Sequence, residues 1–287
     1  MAHERLYVTL GPRRYRVERP WGNLPEGHGH GRVSDVALDP RTGRIHVLLR
    51  IDCYEQTLHP AVIVLEPDGN RAAAYGAREV VDAHMMAVAP DGRAFVVDRD
   101  AQQIVVFDTD GMQLATIGTR HRALEPFNAP CDVAFAPDGS IYVADGYAAS
   151  LVHRFSRNFE PMGRWGKLGT GPGEFSTPHS VWVLPDGRVA VADRENNRVQ
   201  IFAPEGRFLS ELRGPHKPMS VHGDAEGNIY VTDQVPSLWL FGADGSLRGR
   251  CRPVLNGAHG MTISPDGTIY LAEQNPNRLT RLVPVED

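Results

Sequence analysis

The sequence predicts an all-β fold, a six-bladed β-propeller that takes in residues 1–287 as a single domain. Three observations predict it. A glycine-containing turn recurs six times along the 287 residues. Short runs of β-forming residues flank every turn, and no helical period competes with them. One further β-forming run near the N-terminus is left over to complete the last repeat.

The turns fall at Thr42-Gly43, Asp91-Gly92, Asp138-Gly139, Asp186-Gly187, Glu226-Gly227 and Asp266-Gly267, 40 to 49 residues apart. Each is preceded by an apolar run such as "DVAFAP" or "SVWVLP" and followed by a second, such as "SIYVADG" or "RVAVADR". A third run ("QQIVVFD", "NRVQIFA") and often a fourth ("MQLATIG", "RFLSELR") close the unit. Two β-runs around an Asp-Gly turn read as a hairpin. Four strands per 40–50 residues is the period of a propeller blade. The last unit has three clear strands, ending at "RLTRLVP" (278–284), so "YRVERP" (15–20) is expected to supply the fourth and shut the ring. Closure of that kind hides sheet edges that would otherwise pair with other chains.

Composition excludes several classes of partner. The net charge is −5, with 30 Lys+Arg against 35 Asp+Glu and no basic block, which argues against nucleic acid or an anionic membrane surface. No apolar run reaches spanning length. The N-terminus places Glu4, Arg5, Arg13 and Arg14 where a signal peptide would be apolar, so a cytoplasmic setting is expected. Cys53, Cys131 and Cys251 are odd in number and far apart, and form neither a disulfide framework nor a zinc motif. All three are expected as thiols. The histidines of "EGHGHG" (26–31) read as a solvated loop.

A register within the repeat points to chemistry. Seven residues before each turn stand Asp35, His84, Cys131, His179, Met219 and His259. The first strand of a blade lines the central channel, so these positions share one depth. Histidine, only 12 of 287 residues, fills alternate blades. Three imidazoles disposed at about 120° form a tripod for a zinc-like divalent ion with an open coordination position, and iron, manganese or cobalt suit the same donors. Eight residues after the turn, a second ring holds Arg50, Arg99, Gly146, Arg194, Gln234 and Gln274, with Tyr147 following Gly146. The acids one residue earlier (Asp98, Asp145, Asp193, Asp233, Glu273) repeat too regularly to be a site and are expected to bond blade loops. The arginines differ between blades. A planar guanidinium can grip a substrate carboxylate through two bonds.

The stretches "DGSIYVADGYAASLVHRFS" and "GPGEFSTPHSVWVLPDGRVAVADRENNRVQIF" resemble the NHL-repeat propellers. Within them the chain is similar to peptidyl-α-hydroxyglycine α-amidating lyase, the lyase domain of peptidylglycine α-amidating enzymes, over about residues 30–282. The resemblance implies a catalytic zinc on His84, His179 and His259. It also implies a catalytic arginine at Arg50, a catalytic tyrosine at Tyr147 in the D-G-Y turn, and a further active-site arginine at Arg194. The family also carries a structural calcium, held by carbonyls that match Val36 and Met86 and by an acid directly after the third histidine. Here that residue is Gly260, which leaves Asp35 to supply the missing charge. The family's disulfide cysteines are absent, since Ala148 follows the tyrosine, and none of these 287 residues is expected to form a copper monooxygenase domain.

The expected reaction is the metal-dependent splitting of a carbinolamide, N–C(OH)–COO⁻, into an amide and an aldehyde acid such as glyoxylate. Tyr147 is expected to take the hydroxyl proton and Arg50 to stabilise the departing nitrogen, with Arg194 or Arg99 gripping the carboxylate of a small-molecule or short-peptide substrate. Two rivals stand beside it: a metal-dependent hydrolase on the same propeller, and a non-catalytic scaffold for a protein partner. Fold alone does not choose among them.

Overall fold

The computed structural model describes residues 6–25, 31–50, 58–254 and 256–285. Cys53 and the histidines at 28 and 30 lie outside them. Six antiparallel sheets form the six blades, each running outward from the first strand of its repeat. In blade 4, Pro178–Val183 pairs with Val189–Asp193, which pairs with Arg198–Phe202, which pairs with Phe208–Arg213. Among the described residues the only helix is a single 3-10 turn, Arg194–Asn196, and none is long and apolar enough to cross a membrane.

The sequence makes blades because the second and third strands are apolar on both faces. Val189–Asp193 and Arg198–Phe202 are buried throughout, whereas Gln113–Ile117 and Pro161–Trp165 at the rim are mostly exposed. A sheet covered on both sides must stack on neighbours. Apolar clusters accordingly fill the spaces between consecutive blades. Val96 and Phe107 pack with Val62 and Val64 of the preceding blade, and Val191 and Phe202 with Tyr142 and Val152. The hairpin turns work as the Asp-Gly pattern predicts: Gly92 takes φ 87°, a left-handed conformation in which a side chain would be strained.

Ring closure follows expectation with one addition. Arg13–Glu18 pairs with Asn277–Val285, so an N-terminal strand does complete the last blade, starting two residues earlier than predicted. A fifth strand, Leu6–Leu10, then folds back outside it. Arg281 bridges to Glu18 at 2.6 Å across the closing pair.

Cys131 and Cys251 are free thiols; Cys131 is fully buried, and burial pushes both up to about 12. Titration of freshly purified, unreduced protein under denaturing conditions is expected to count three thiols per chain. A count of one would refute this.

Candidate active site

Each channel-lining strand carries a β-bulge at its entrance, and the bulge positions the histidines. The pairing slips between Pro178 and Ser180 around His179, between Ala258 and Gly260 around His259, and between Ala83 and Met86 around His84. A bulge turns one extra side chain off the sheet. The three rings meet edge to face, their centroids 4.9 to 5.1 Å apart, and their ligand nitrogens all lie within 4.8 Å of one another.

The outer nitrogens fix the tautomers. His84 Nδ1 donates to the carbonyl of Cys131 at 2.7 Å, His179 Nδ1 to Met219 at 2.7 Å, and His259 Nδ1 to Ser34 at 2.8 Å. A carbonyl can only accept, so each Nδ1 carries the hydrogen and each Nε2 turns a lone pair to the centre. Burial holds His259 down to about 4 and the other two well below the usual histidine range, so all three are neutral at neutral pH. Nε2 of His259 is buried without a hydrogen-bond partner. An orphaned, buried lone pair beside the Nε2 lone pairs of His84 and His179 fits a divalent ion accepting imidazole nitrogen. Cys131 shares the depth, but its Sγ lies toward the Ala129 carbonyl at 3.9 Å and is not one of the converging donors.

The turn-based register misplaces blade 1. The residue that receives His259 is Ser34, and it is Ser34 that sits in the bulge, between Val33 and Asp35. In blade 1 the turn is closed by the Asp39 amide on the Arg44 carbonyl, five residues on; in blade 2 the Ala89 amide reaches only to Arg93. The extra residue moves Asp35 one step past the histidines. There it is buried, accepts the Met86 amide at 2.8 Å, and is held well above the usual carboxylate range by burial and by Asp132. Asp132 accepts Ser180 Oγ at 2.7 Å and is itself pushed up to about 6 by burial. A β-carbon at Gly260 would overlap the Asp35 carboxylate. Gly260→Ala is therefore expected to cost about 1–3 kcal/mol of stability. In the Asp35→Ala background the same change should cost less, by urea unfolding of the four proteins; strict additivity would exclude the contact.

Tyr147 also shifts by one place. Its amide donates to the Ala129 carbonyl, as Arg99 donates to Asp82 and Arg194 to Thr177. The tyrosine, not Gly146, thus occupies the arginine position of blade 3. Gly146 is the inserted residue, and a side chain there would run into the Pro178 carbonyl. The phenol oxygen lies 3.1 Å from His84 Nε2 and 3.2 Å from His179 Nε2, and accepts Arg194 Nη1 at 3.2 Å. Guanidinium groups of Arg99 and Arg194 lie 5.0 and 5.2 Å from its ring centroid. Arg50 is held by Asp82, Nε to Oδ1 at 2.7 Å, and Arg99 Nε is 2.8 Å from the same carboxylate. Asp82 went unread in the sequence; its only signal is an acid two places before His84.

The repeated acids do what their regularity suggests: Asp145 accepts the Asn128 amide, Asp193 that of Ser176 and Asp233 that of His216. A cavity of about 360 Å³ opens beside Tyr147, between Ala148, Lys167 and Thr177. A larger one, about 530 Å³, fills the opposite mouth of the channel, lined mainly by apolar groups with Asp35 and Asp132. The tripod imidazoles, the Tyr147 phenol and the guanidiniums of Arg50, Arg99 and Arg194 gather away from the larger one, at the tripod's mouth.

Fold and site together define a six-bladed β-propeller with a histidine tripod in its channel. The NHL repeat family model matches residues 175–202, the stretch that carries His179 and Arg194. The chain is 26% identical to the peptidylglycine alpha-amidating monooxygenase of Rattus norvegicus, over 94% of this chain and 33% of that one. It is 24% identical to the peptidyl-alpha-hydroxyglycine alpha-amidating lyase 1 of Drosophila melanogaster, over 94% and 54%. It thus spans about a third of the first relative and half of the second. The solved structure of a gluconolactonase from Xanthomonas campestris superposes with a TM-score of 0.73 at 15% identity, over 99% and 96% of the chains, which shows a shared fold.

Proposed function

We propose that this protein is a metal-dependent carbon–nitrogen lyase that splits a carbinolamide bearing a carboxylate into an amide and glyoxylate or a similar aldehyde. The observation that carries the reading is the phenol oxygen of Tyr147 at hydrogen-bond distance from two convergent Nε2 atoms, with Arg194 donating to it. His84, His179 and His259 would hold the ion, zinc first among the candidates. When bound, a divalent ion there supplies Lewis-acid stabilisation of the substrate oxygen as it loses its proton.

The chain's own groups account for the proton. Tyr147, whose oxygen accepts Arg194 Nη1, takes the hydroxyl proton; the carbon–oxygen double bond forms and the carbon–nitrogen bond breaks. The proton then passes from the phenol to the departing nitrogen, so no water is consumed. The substrate carboxylate goes to the arginines that share Asp82, which moves Arg50 from the departing nitrogen, its expected place, to the carboxylate beside Arg99. The structural calcium on Asp35 with the carbonyls of Val36 and Met86 is not part of this reading, because the Asp35 carboxyl already takes the Met86 amide and burial disfavours its charge. A cytoplasmic, reducing setting belongs to the same reading.

The test is aldehyde release from N-benzoyl-α-hydroxyglycine by zinc-loaded protein. Glyoxylate with benzamide supports the lyase. Benzoate would mark a hydrolase, and no product from any carbinolamide would favour the scaffold. Arg50→Lys should lose at least about tenfold in kcat/KM, because an ammonium cannot reproduce the two-point bond to Asp82. Parental kcat/KM in that variant would remove Arg50 from the site.

A further inference from the structure

Arg50 and Arg99 leave the ends of second strands in neighbouring blades, and one residue joins them. Asp82 Oδ1 accepts Arg50 Nε at 2.7 Å, and Oδ2 accepts Arg50 Nη2 at 3.3 Å and stands 2.8 Å from Arg99 Nε. Its side chain is 5% exposed, against 23% and 22% for the two arginines. The backbone of Asp82 is fixed on both sides: its amide donates to Asp98 Oδ1 at 2.8 Å and its carbonyl accepts the Arg99 amide at 3.0 Å. Two places on, His84 projects into the tripod, and the Arg99 guanidinium lies 5.0 Å from the Tyr147 ring centroid.

We infer that Asp82 is a positioning residue that makes Arg50 and Arg99 a single clamp for the substrate's carboxylate. The inference rests on the lyase reading for its substrate but not for its geometry. A long arginine side chain loses rotamer freedom, about 2 kcal/mol, when a ligand must order it. Here the ordering is done in advance by a buried carboxylate with both oxygens engaged. Arg99 Nε is also 2.9 Å from Asp100, whose side chain is 49% exposed, so Asp82 is the buried partner that the two arginines share. Among the described residues the side-chain partners of Asp82 are the two arginines, through which it would act.

The test compares two carbinolamides on zinc-loaded full-length protein. N-benzoyl-α-hydroxyglycine carries the carboxylate, and N-(hydroxymethyl)benzamide lacks it. In Asp82→Asn, KM for the first should rise about 10–100-fold, the worth of charge-assisted bonds, with kcat changed much less. Zinc content should stay at the parental value, and rates on the second should change far less than KM for the first. Oxamate, a carboxylate probe of glyoxylate's size, should bind the zinc protein more weakly by the same factor in calorimetry, an arm that needs no turnover. Asp82→Glu, which keeps the charge, should recover part of both affinities. Equal losses on the two substrates, an unchanged oxamate affinity, or a glutamate variant no better than asparagine would overturn the inference. If Asp82→Asn does not fold, Arg99→Gln carries the same comparison from the other side of the triad. Should the parent cleave neither compound, the lyase reading fails while the oxamate arm still decides the clamp.

Discussion

Tyr147→Phe is expected to lower turnover about 10²–10⁴-fold, the usual worth of a positioned acid or base, while leaving metal content and fold unchanged. The loss should fall on kcat. The ring that lies between Arg99 and Arg194 is kept in phenylalanine, and only the hydroxyl that meets His84, His179 and Arg194 disappears. Because the same oxygen is proposed to take one proton and return it, both halves of the reaction fail together, and no partial product should accumulate. Single-turnover aldehyde release decides the matter. A rate within threefold of the parent would assign the proton to another group.

His179→Ala is expected to abolish stoichiometric metal. Two imidazoles remain, and two donors do not complete the three-ligand site that a catalytic zinc requires. Elemental analysis should read about one metal per parental chain and little in the variant. The parental site should also resist acid. Burial keeps the ligand nitrogens free of protons, so affinity should stay flat as pH falls through the ordinary histidine range. It should drop only toward the pH near about 4 at which His259 takes its proton. Titration of apo protein with zinc from pH 8 downward checks this, and a steep loss already at pH 6.5 would contradict it. Full metal in the variant would remove His179 from the set.

The blades were legible because a hairpin turn and its flanking strands are local: a few adjacent residues settle them. The histidine triad was legible for a related reason, since a repeat converts spacing along the chain into depth in the channel. That conversion fails wherever one repeat gains a residue. The longer turn of blade 1 put Asp35 where Ser34 belongs, and the inserted Gly146 hid the equivalence of Tyr147 with Arg99 and Arg194. Counting from a turn cannot detect either. Asp82 was out of reach for a different reason. Its repeat position is filled by unlike residues in other blades, Ala129 and Thr177, and Arg50 comes to it from the preceding blade, 32 residues away in the chain. Only closure of the ring brings them together.

The bonds made by the far side of each imidazole extend the site well beyond itself. His84, His179 and His259 each lean on a carbonyl of the next blade round, at Cys131, Met219 and Ser34, so three ligands enlist all six blades. Any slackening of the circle, above all at the seam where Arg13–Glu18 meets Asn277–Val285, reaches the ligand nitrogens through the Ser34 carbonyl. If the tripod holds the proposed ion, its affinity would gauge the mechanical tension in the whole ring. A chain cut short before the seam should register its open circumference first as a leaking metal, and only later as lost strands.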